Sequence, residues 1–176
     1  MKPQFIVYAC PTQELSQQLQ TYWQLSREQC GANRAHNYMP HCTLTGFFCD
    51  RPDSASYYIQ ALEDAYQAAL QDQSLAVEIV NLIFSRDWHG LELQANGVKE
   101  LVRNFVQIET SPSRTEEIRL KDWLHLSLAY GFEPEKRAEL EQLGKDTIDI
   151  KASVGWELRF YQRADTVWEC LHTWAI

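Results

Sequence analysis

The chain has 176 residues, of which 45% are hydrophobic and 12% aromatic, and its formal net charge is −8. This length and composition are typical of one folded globular domain and exclude a disordered chain. The 16 Lys and Arg residues are outnumbered by 24 Asp and Glu residues, which disfavours long RNA or DNA as a partner because such ligands need a basic surface. A small phosphate ester stays compatible, since one local cationic pocket can bind it.

The amino-terminal region and the cysteines indicate the cellular compartment of the protein. Only six apolar residues, over 5–10, precede Pro11, which is too few for a signal peptide or a membrane span. The five cysteines include no Cys-x-x-Cys pair, so we expect reduced thiols and neither a disulfide framework nor a structural zinc site. We therefore predict a cytoplasmic protein without a membrane partner, and we expect a monomer.

The first half of the chain alternates strands and helices. Residues 5–10 form an apolar run that predicts a buried strand. A helix is predicted from Pro11 onwards, because apolar residues then recur on one helical face. A β-rich run covers residues 41–48, a second helix covers the apolar positions from 59 to 70, and residues 75–85 form another strand.

The second half repeats this order. Its predicted elements are a strand over 89–94, a helix over 96–108, a polar stretch over 110–122, a β-rich run over 123–130, a helix from Pro134 to Gly144, and strands over 154–161 and 167–176. The helix after residue 130 has proline at its start and glycine at its end, as helix termini prefer.

A constant spacing relates the two halves. The histidines of the two β-rich runs, His41 and His125, are 125 − 41 = 84 residues apart, and the same shift carries the first strand to the start of the second half. The pattern predicts an internal duplication, with halves 1–86 and 87–176. Since no Gly-, Pro- or Ser-rich linker separates the halves, we predict a single two-lobed domain over residues 1–176.

Each half carries one copy of a short motif, His-apolar-hydroxyl-apolar. The copies are His41-Cys42-Thr43-Leu44 and His125-Leu126-Ser127-Leu128. Side chains two residues apart share one face of a strand, so each histidine is predicted to lie beside a hydroxyl residue while Cys42 points into the core. One such motif usually means a solvated or hydrogen-bonded histidine, but two copies at equivalent positions favour a functional site.

Two histidines with two hydroxyl groups suit chemistry on a phosphodiester. Histidine titrates near neutral pH, so one imidazole can accept a proton while the other donates one. The hydroxyls of Thr43 and Ser127 can donate hydrogen bonds to the non-bridging phosphate oxygens. A strained five-membered cyclic phosphate has less need of a metal, and the sequence has no cluster typical of a two-metal site. His36 and His41 form at most a loose ligand pair.

These tetrapeptides resemble the paired His-x-Thr/Ser-x signature of the two-histidine (2H, or LigT-like) phosphoesterase superfamily. Within it, residues 40–45 and 125–130 are most similar to the plant and fungal cyclic phosphodiesterases, and residues 8–11 to their first strand and turn. Members of that group open ADP-ribose 1″,2″-cyclic phosphate and nucleoside 2′,3′-cyclic phosphates. The resemblance implies a bilobal α+β fold, in which the motif strands of antiparallel sheets line a central groove, and a reaction that needs no metal or other cofactor.

The resemblance also implies roles for five residues. His41 and His125 match the catalytic histidines, Thr43 and Ser127 match the hydroxyls that hold the phosphate, and Tyr130 matches a tyrosine that contacts the substrate. The implied enzyme hydrolyses small nucleotide cyclic phosphates to phosphomonoesters. Which histidine is the acid and which the base stays open, because the two motifs are too alike.

Two other functions are compatible with the same residues. One is processing of cyclic-phosphate RNA ends or 2′–5′ RNA ligation, as in other branches of the superfamily, which the acidic composition disfavours. The other is a sensor that binds a nucleotide without turning it over. Comparing the turnover of a mononucleotide with that of an oligonucleotide ending in a cyclic phosphate distinguishes the small-substrate enzyme from the RNA-processing enzyme. Binding of a nucleotide without product formation would identify a sensor.

The polar stretch 110–122 has two interpretations. It is either a lid whose Arg114, Arg119 or Lys121 reaches the phosphate or, as we favour, a solvated connection. Trp123 and Tyr38 adjoin the motifs, but we interpret them as core residues and leave them out of the predicted site.

Overall fold

The computed structural model describes residues 3–72 and 74–176. Its strands and α-helices, in chain order, are β1 (Gln4–Thr12), α1 (Gln13–Cys30), β2 (Cys42–Thr43), β3 (Phe48–Cys49), α2 (Ala55–Asp72), β4 (Glu78–Phe84), β5 (Trp88–Gln94), α3 (Asn96–Ile108), β6 (Leu124–Tyr130), α4 (Arg137–Thr147), β7 (Gly155–Ala164) and β8 (Val167–Ala175). Short 3-10 turns cover Arg34–Asn37, Pro52–Ser54 and Pro134–Lys136. The predicted α+β class is confirmed. Across these described ranges, no helix has the length and apolar character needed to cross a bilayer.

The strands form one continuous antiparallel sheet. The sequence instead predicted antiparallel sheets in two lobes. The order of the observed sheet is β4-β5-β6-β2-β1-β7-β8, and β3 pairs with β1 beside this path. The two motif-bearing strands, β2 and β6, are therefore neighbours in the middle of the sheet. Their positions bring together two motifs that are far apart in the chain.

The strand order on the two sides of the β2–β6 pair is alike. Strands β5 and β4 follow β6 on one side, and strands β1 and β7 follow β2 on the other. β1 begins at Gln4 and β5 begins at Trp88, which are 88 − 4 = 84 residues apart. This order is the one that two similar halves would produce, while the duplication of the chain itself stays a prediction.

The two faces of the sheet have different roles. The main core includes the alternate β1 residues Phe5, Val7 and Ala9 together with buried residues of all four helices. The intervening β1 residues Ile6 and Tyr8 belong to a smaller cluster on the other face. Because β1 is covered on both faces, its residues 5–10 are apolar without alternation, as predicted for a buried strand. The helices thus cover one face, and the opposite face is left for the site.

The run over 41–48 is less regular than predicted. Only β2 and β3 within it form ladder pairs, because the chain turns aside at Thr45, whose Oγ1 accepts a hydrogen bond from the Val7 amide at 3.1 Å. Thr45 instead forms an isolated bridge with Leu120. The hydroxyl of one buried threonine therefore replaces part of the expected strand.

The predicted end of α4 at Gly144 is wrong, because the helix continues to Thr147. A Cβ atom on Gly144 would lie 2.7 Å from Cε1 of Phe84, closer than carbon atoms approach in proteins. The glycine therefore permits close packing of the helix against β4 and does not mark a helix terminus.

Candidate active site

The register of β2 against β6 brings the two motifs together. Cys42 lies opposite Leu126, so one residue further His41 lies opposite Ser127 and Thr43 lies opposite His125. Cys42 is buried in the main core, as predicted, together with Leu126. The residues that flank this pair therefore share the other face of the sheet. The two histidines occupy one diagonal of this four-residue arrangement, and diagonal positions on paired strands are about 7–8 Å apart.

A cavity of about 400 Å³ lies above this four-residue arrangement. It is lined by all five predicted site residues, His41, Thr43, His125, Ser127 and Tyr130, together with Trp23, Ala35, Tyr38 and Trp88. None of these lining residues is Asp or Glu, although the whole chain carries a net charge of −8. An aromatic pocket without carboxylates suits an anion that is attached to a flat ring.

The His41 ring has a defined tautomer. Its Nδ1 atom lies 2.7 Å from the Met39 carbonyl oxygen. Since a carbonyl only accepts, Nδ1 carries a hydrogen, and in the neutral ring Nε2 carries the lone pair. Burial lowers the pKa of His41; the hydrogen bond to Met39 opposes this shift, and the nearby His125 adds to it. A neutral His41 is thus prepared to accept a proton at Nε2.

The His125 ring is clamped by two tryptophans. Trp123 stacks on it with ring centroids 4.1 Å apart and an interplanar angle of 27°, and Trp88 meets it edge-on at 5.3 Å. Burial lowers the pKa of His125; the Trp123 backbone opposes this shift, and the positive charge of Lys121 adds to it. The buried Nδ1 atom makes no hydrogen bond of good geometry within the described residues, and its contact with the Trp123 backbone is only weak, so the stacked tryptophans and the strand hold the ring in place.

The Ser127 hydroxyl has a defined polarity. The Trp88 indole Nε1–H donates a hydrogen bond to Ser127 Oγ at 2.9 Å. Because an indole nitrogen only donates, the serine oxygen is the acceptor and its own hydrogen stays available to the cavity. Gly90 makes this contact possible, since a Cβ atom there would lie 2.3 Å from Cζ2 of Trp88. Trp88 thus prepares Ser127 to donate to an anion.

Three further aromatic residues complete the walls. Tyr130, at the end of β6, lines the cavity, and burial, followed by the nearby Tyr38, raises its pKa. The interpretation of Tyr38 and Trp123 as core residues is wrong, because Tyr38 lines the cavity and Trp123 is 49% exposed above His125. Trp23 reaches the cavity from α1 and donates its indole hydrogen to the Leu128 carbonyl at 2.8 Å.

The polar stretch 110–122 is anchored to the protein body. Buried Asp50 accepts hydrogen bonds from Ser111 at 2.6 Å, Ser113 at 2.7 Å and Tyr58 at 2.5 Å. Burial alone would raise the pKa of Asp50, but these hydrogen bonds outweigh it and hold the pKa below its usual range. Arg114 pairs with buried Glu109. The start of the stretch is thus fixed in place, which supports the interpretation of a connection over that of a mobile lid.

No other histidine joins the pair as a ligand. His36 accepts a hydrogen bond from the Asn33 amide at Nδ1, at 3.0 Å, and its Nε2 atom lies 3.0 Å from Ser26 Oγ. Both ring nitrogens of His36 therefore have hydrogen-bond partners, so His36 does not form a ligand pair with His41. Within residues 3–72 and 74–176, no group of three His, Cys, Asp or Glu side chains is placed to hold a metal ion.

Sequence comparison finds several longer relatives, and no family model matches the chain. An ecdysteroid-phosphate phosphatase of Drosophila melanogaster is 32% identical over 91% of this chain and 26% of its own length. The protein of the same name from Bombyx mori is 31% identical, covering 91% of this chain and 24% of its own length. The human ubiquitin-associated and SH3 domain-containing protein B is also 31% identical, over 91% of this chain and 25% of its own length. The chain thus spans about a quarter of these relatives, so their names describe much larger proteins.

Sequence reasoning missed Trp88, the residue that contacts both Ser127 and His125. It lies between the strands predicted over residues 75–85 and 89–94, whereas in the structure it begins β5. The available signal was Gly90, because a glycine inside a strand often marks the close approach of another group. The identity of that group follows only from the three-dimensional packing.

Proposed function

We propose that this chain is a phosphoester hydrolase of the 2H type that opens small cyclic phosphates. The substrates are nucleoside 2′,3′-cyclic phosphates or ADP-ribose 1″,2″-cyclic phosphate, and the products are phosphomonoesters. One observation carries the proposal: the two His-x-hydroxyl motifs lie side by side on one face of the β2–β6 pair and line one cavity without carboxylates. The similarity to proteins named ecdysteroid-phosphate phosphatase supports phosphoester hydrolysis as the general reaction.

The two histidines divide the proton transfers. His41, which presents a lone pair at Nε2, accepts a proton from the attacking water as the water oxygen bonds to phosphorus. His125, as an imidazolium, donates a proton to the ribose oxygen when its bond to phosphorus breaks. Thr43 and Ser127 donate hydrogen bonds to the non-bridging oxygens, where negative charge increases in the transition state. The reaction consumes one water and leaves a phosphomonoester beside a free hydroxyl.

We expect the reaction to proceed without a metal ion. Purified protein incubated with a nucleoside 2′,3′-cyclic phosphate and excess chelator should form the 2′- or 3′-monophosphate as fast as untreated protein, as followed by ³¹P NMR. Loss of wild-type activity on chelation would show that the metal-independent mechanism is wrong. Calorimetric binding of the nucleotide without any product would instead support a sensor.

The pH dependence of kcat/KM follows from the two histidines. The base His41 must be neutral and the acid His125 must be protonated, so the profile is bell-shaped and reports the pKa values of the free enzyme. Burial lowers both pKa values below the ordinary 6.5. The maximum should therefore lie below pH 6.5, and kcat/KM should decrease towards about tenfold per pH unit above it.

Substitution of Lys121 tests the assignment of the alkaline limb to His125. Its charge contributes to the lowered pKa of His125, so Lys121→Met should move the alkaline limb to higher pH. Lys145→Met, which changes a lysine paired with Glu141 on α4, should leave that limb unchanged. An optimum above pH 7 in the wild type, or equal shifts in both variants, would contradict the assignment.

A further inference from the structure

A second cavity adjoins the first at His41. Its volume is about 290 Å³, and it shares Tyr38, His41, Thr43 and Tyr130 with the first cavity. The two cavities are therefore parts of one cleft that passes over the proposed phosphate position. Like the first cavity, the second has no Asp or Glu among its lining residues.

The second cavity differs from the first in its charge. Arg119 and Lys121 line it, together with the aromatic residues Tyr8 and Phe47. Neither cation takes part in the ion pairs formed within residues 3–72 and 74–176, where Arg103, Arg114, Lys136, Lys145 and Arg159 do. Two unpaired cations beside a cleft without carboxylates, in a chain of net charge −8, create a local site for an anion.

The backbone holds these cations in a fixed relation to the β2 motif. The Gly46 amide donates to the Arg119 carbonyl at 2.7 Å, and the Lys121 amide donates to the Leu44 carbonyl at 3.0 Å. The Arg119 side chain crosses Gly46 closely, since a Cβ atom there would lie 3.4 Å from Arg119 Nε. These backbone hydrogen bonds hold residues 119–121 against residues 44–46, which directly follow Thr43.

We infer that the second cavity binds a phosphate attached to the 5′-oxygen of the substrate, in addition to the cyclic phosphate that is hydrolysed. The inference rests on the proposed function. In a nucleoside 2′,3′-cyclic phosphate, the base is attached to C1′, next to C2′, and the 5′-oxygen is attached through C5′ to C4′, next to C3′, so the two groups extend to opposite sides of the cyclic phosphate. A phosphate held between the histidines therefore directs one group into each cavity. The uncharged, aromatic first cavity suits the base, and the cationic second cavity suits the 5′-phosphate.

The 5′-phosphate has two sources, a mononucleotide or the last residue of an RNA strand. Three substrates distinguish them: a nucleoside 2′,3′-cyclic phosphate, the same compound with a 5′-phosphate, and a dinucleotide that ends in a 2′,3′-cyclic phosphate. We expect the 5′-phosphate to raise kcat/KM about tenfold or more, as charge-assisted hydrogen bonds do. A larger gain with the dinucleotide assigns the site to RNA ends, an equal gain shows that it accepts both sources, and a gain only with the 5′-monophosphate assigns it to mononucleotides.

Arg119→Gln tests the residue itself. It should abolish most of the gain from the 5′-phosphate and leave turnover of the substrate without it within about twofold, because such a substrate has no group in the second cavity. Arg137→Gln, on α4 and outside both cavities, should keep the gain. The inference is overturned if the wild type gains nothing from a 5′-phosphate, or if Arg119→Gln slows both substrates equally.

Binding separates this inference from the proposed function. If the wild type hydrolyses none of the three substrates, the proposed function fails, and calorimetry with a nucleoside and its 5′-monophosphate still measures the second cavity. Tighter binding of the 5′-monophosphate, by about tenfold and lost in Arg119→Gln, would support the anion site alone. Equal affinities for the two ligands would overturn it.

Discussion

Replacing either His41 or His125 by alanine is expected to lower kcat by about 10²- to 10⁴-fold, the range that general acid or base catalysis contributes. Both imidazoles line the same cavity and lie on one diagonal of the β2–β6 pair. Each substitution therefore removes one of the two proton transfers. The double variant should be little slower than either single variant, because the transfers act on the same transition state. The measurement is steady-state kinetics on a nucleoside 2′,3′-cyclic phosphate.

His172→Ala is the matched control for these variants. His172 is an exposed histidine on β8 that lines neither cavity, so its removal should leave kcat unchanged. Exogenous imidazole should restore part of the activity of His41→Ala or His125→Ala, whereas a loss caused by misfolding would not be restored. Retention of near wild-type kcat in either alanine variant would refute the two-histidine mechanism.

Replacing Ser127 by alanine is expected to lower kcat by about 10²-fold, since a donor to the developing negative charge is removed. Trp88→Phe keeps an aromatic ring beside His125 but removes the indole hydrogen that fixes the Ser127 hydroxyl. The serine can then rotate away from the phosphate, and we expect a decrease of about tenfold, equivalent to one neutral hydrogen bond. Steady-state kinetics of both single variants and of the double variant measure the coupling between Trp88 and Ser127.

The double variant gives the decisive comparison. If Trp88 acts through Ser127, Ser127→Ala with Trp88→Phe should be no slower than Ser127→Ala alone. Strictly multiplicative losses would mean that Trp88 acts independently, for example only by packing against His125. Thr173→Val, which removes an exposed hydroxyl on β8, should leave kcat unchanged.

Local patterns predicted the faces of the motif strands well. Because strand alternation depends only on the backbone, the sequence was enough to assign Cys42 to the core and to place Thr43 beside His41. The irregular path after β2 was not predictable in this way. It depends on a hydrogen bond between Thr45 and the Val7 amide, two residues that are distant in the chain.

The surroundings of the histidines depended on tertiary contacts. Trp88 reaches Ser127 from the neighbouring strand β5 over Gly90, and nothing local to residues 125–128 indicates that contact. Arg119 was named with Arg114 and Lys121 as a cation that could reach the phosphate from a lid, but a solvated connection was the favoured interpretation. Its place in a cavity follows from backbone hydrogen bonds between residues 119–121 and 44–46, which alternation within one strand does not reveal.

The central claim is that both imidazoles act on one phosphate group, and a crystal structure with a bound product tests it most directly. The phosphate of a nucleoside 2′- or 3′-monophosphate is expected to lie between His41 and His125, with an oxygen within about 3.2 Å of Nε2 of each ring. Thr43 and Ser127 should donate to its remaining oxygens. A phosphate that contacts only one of the two rings, or that binds outside the cavity, would contradict the account.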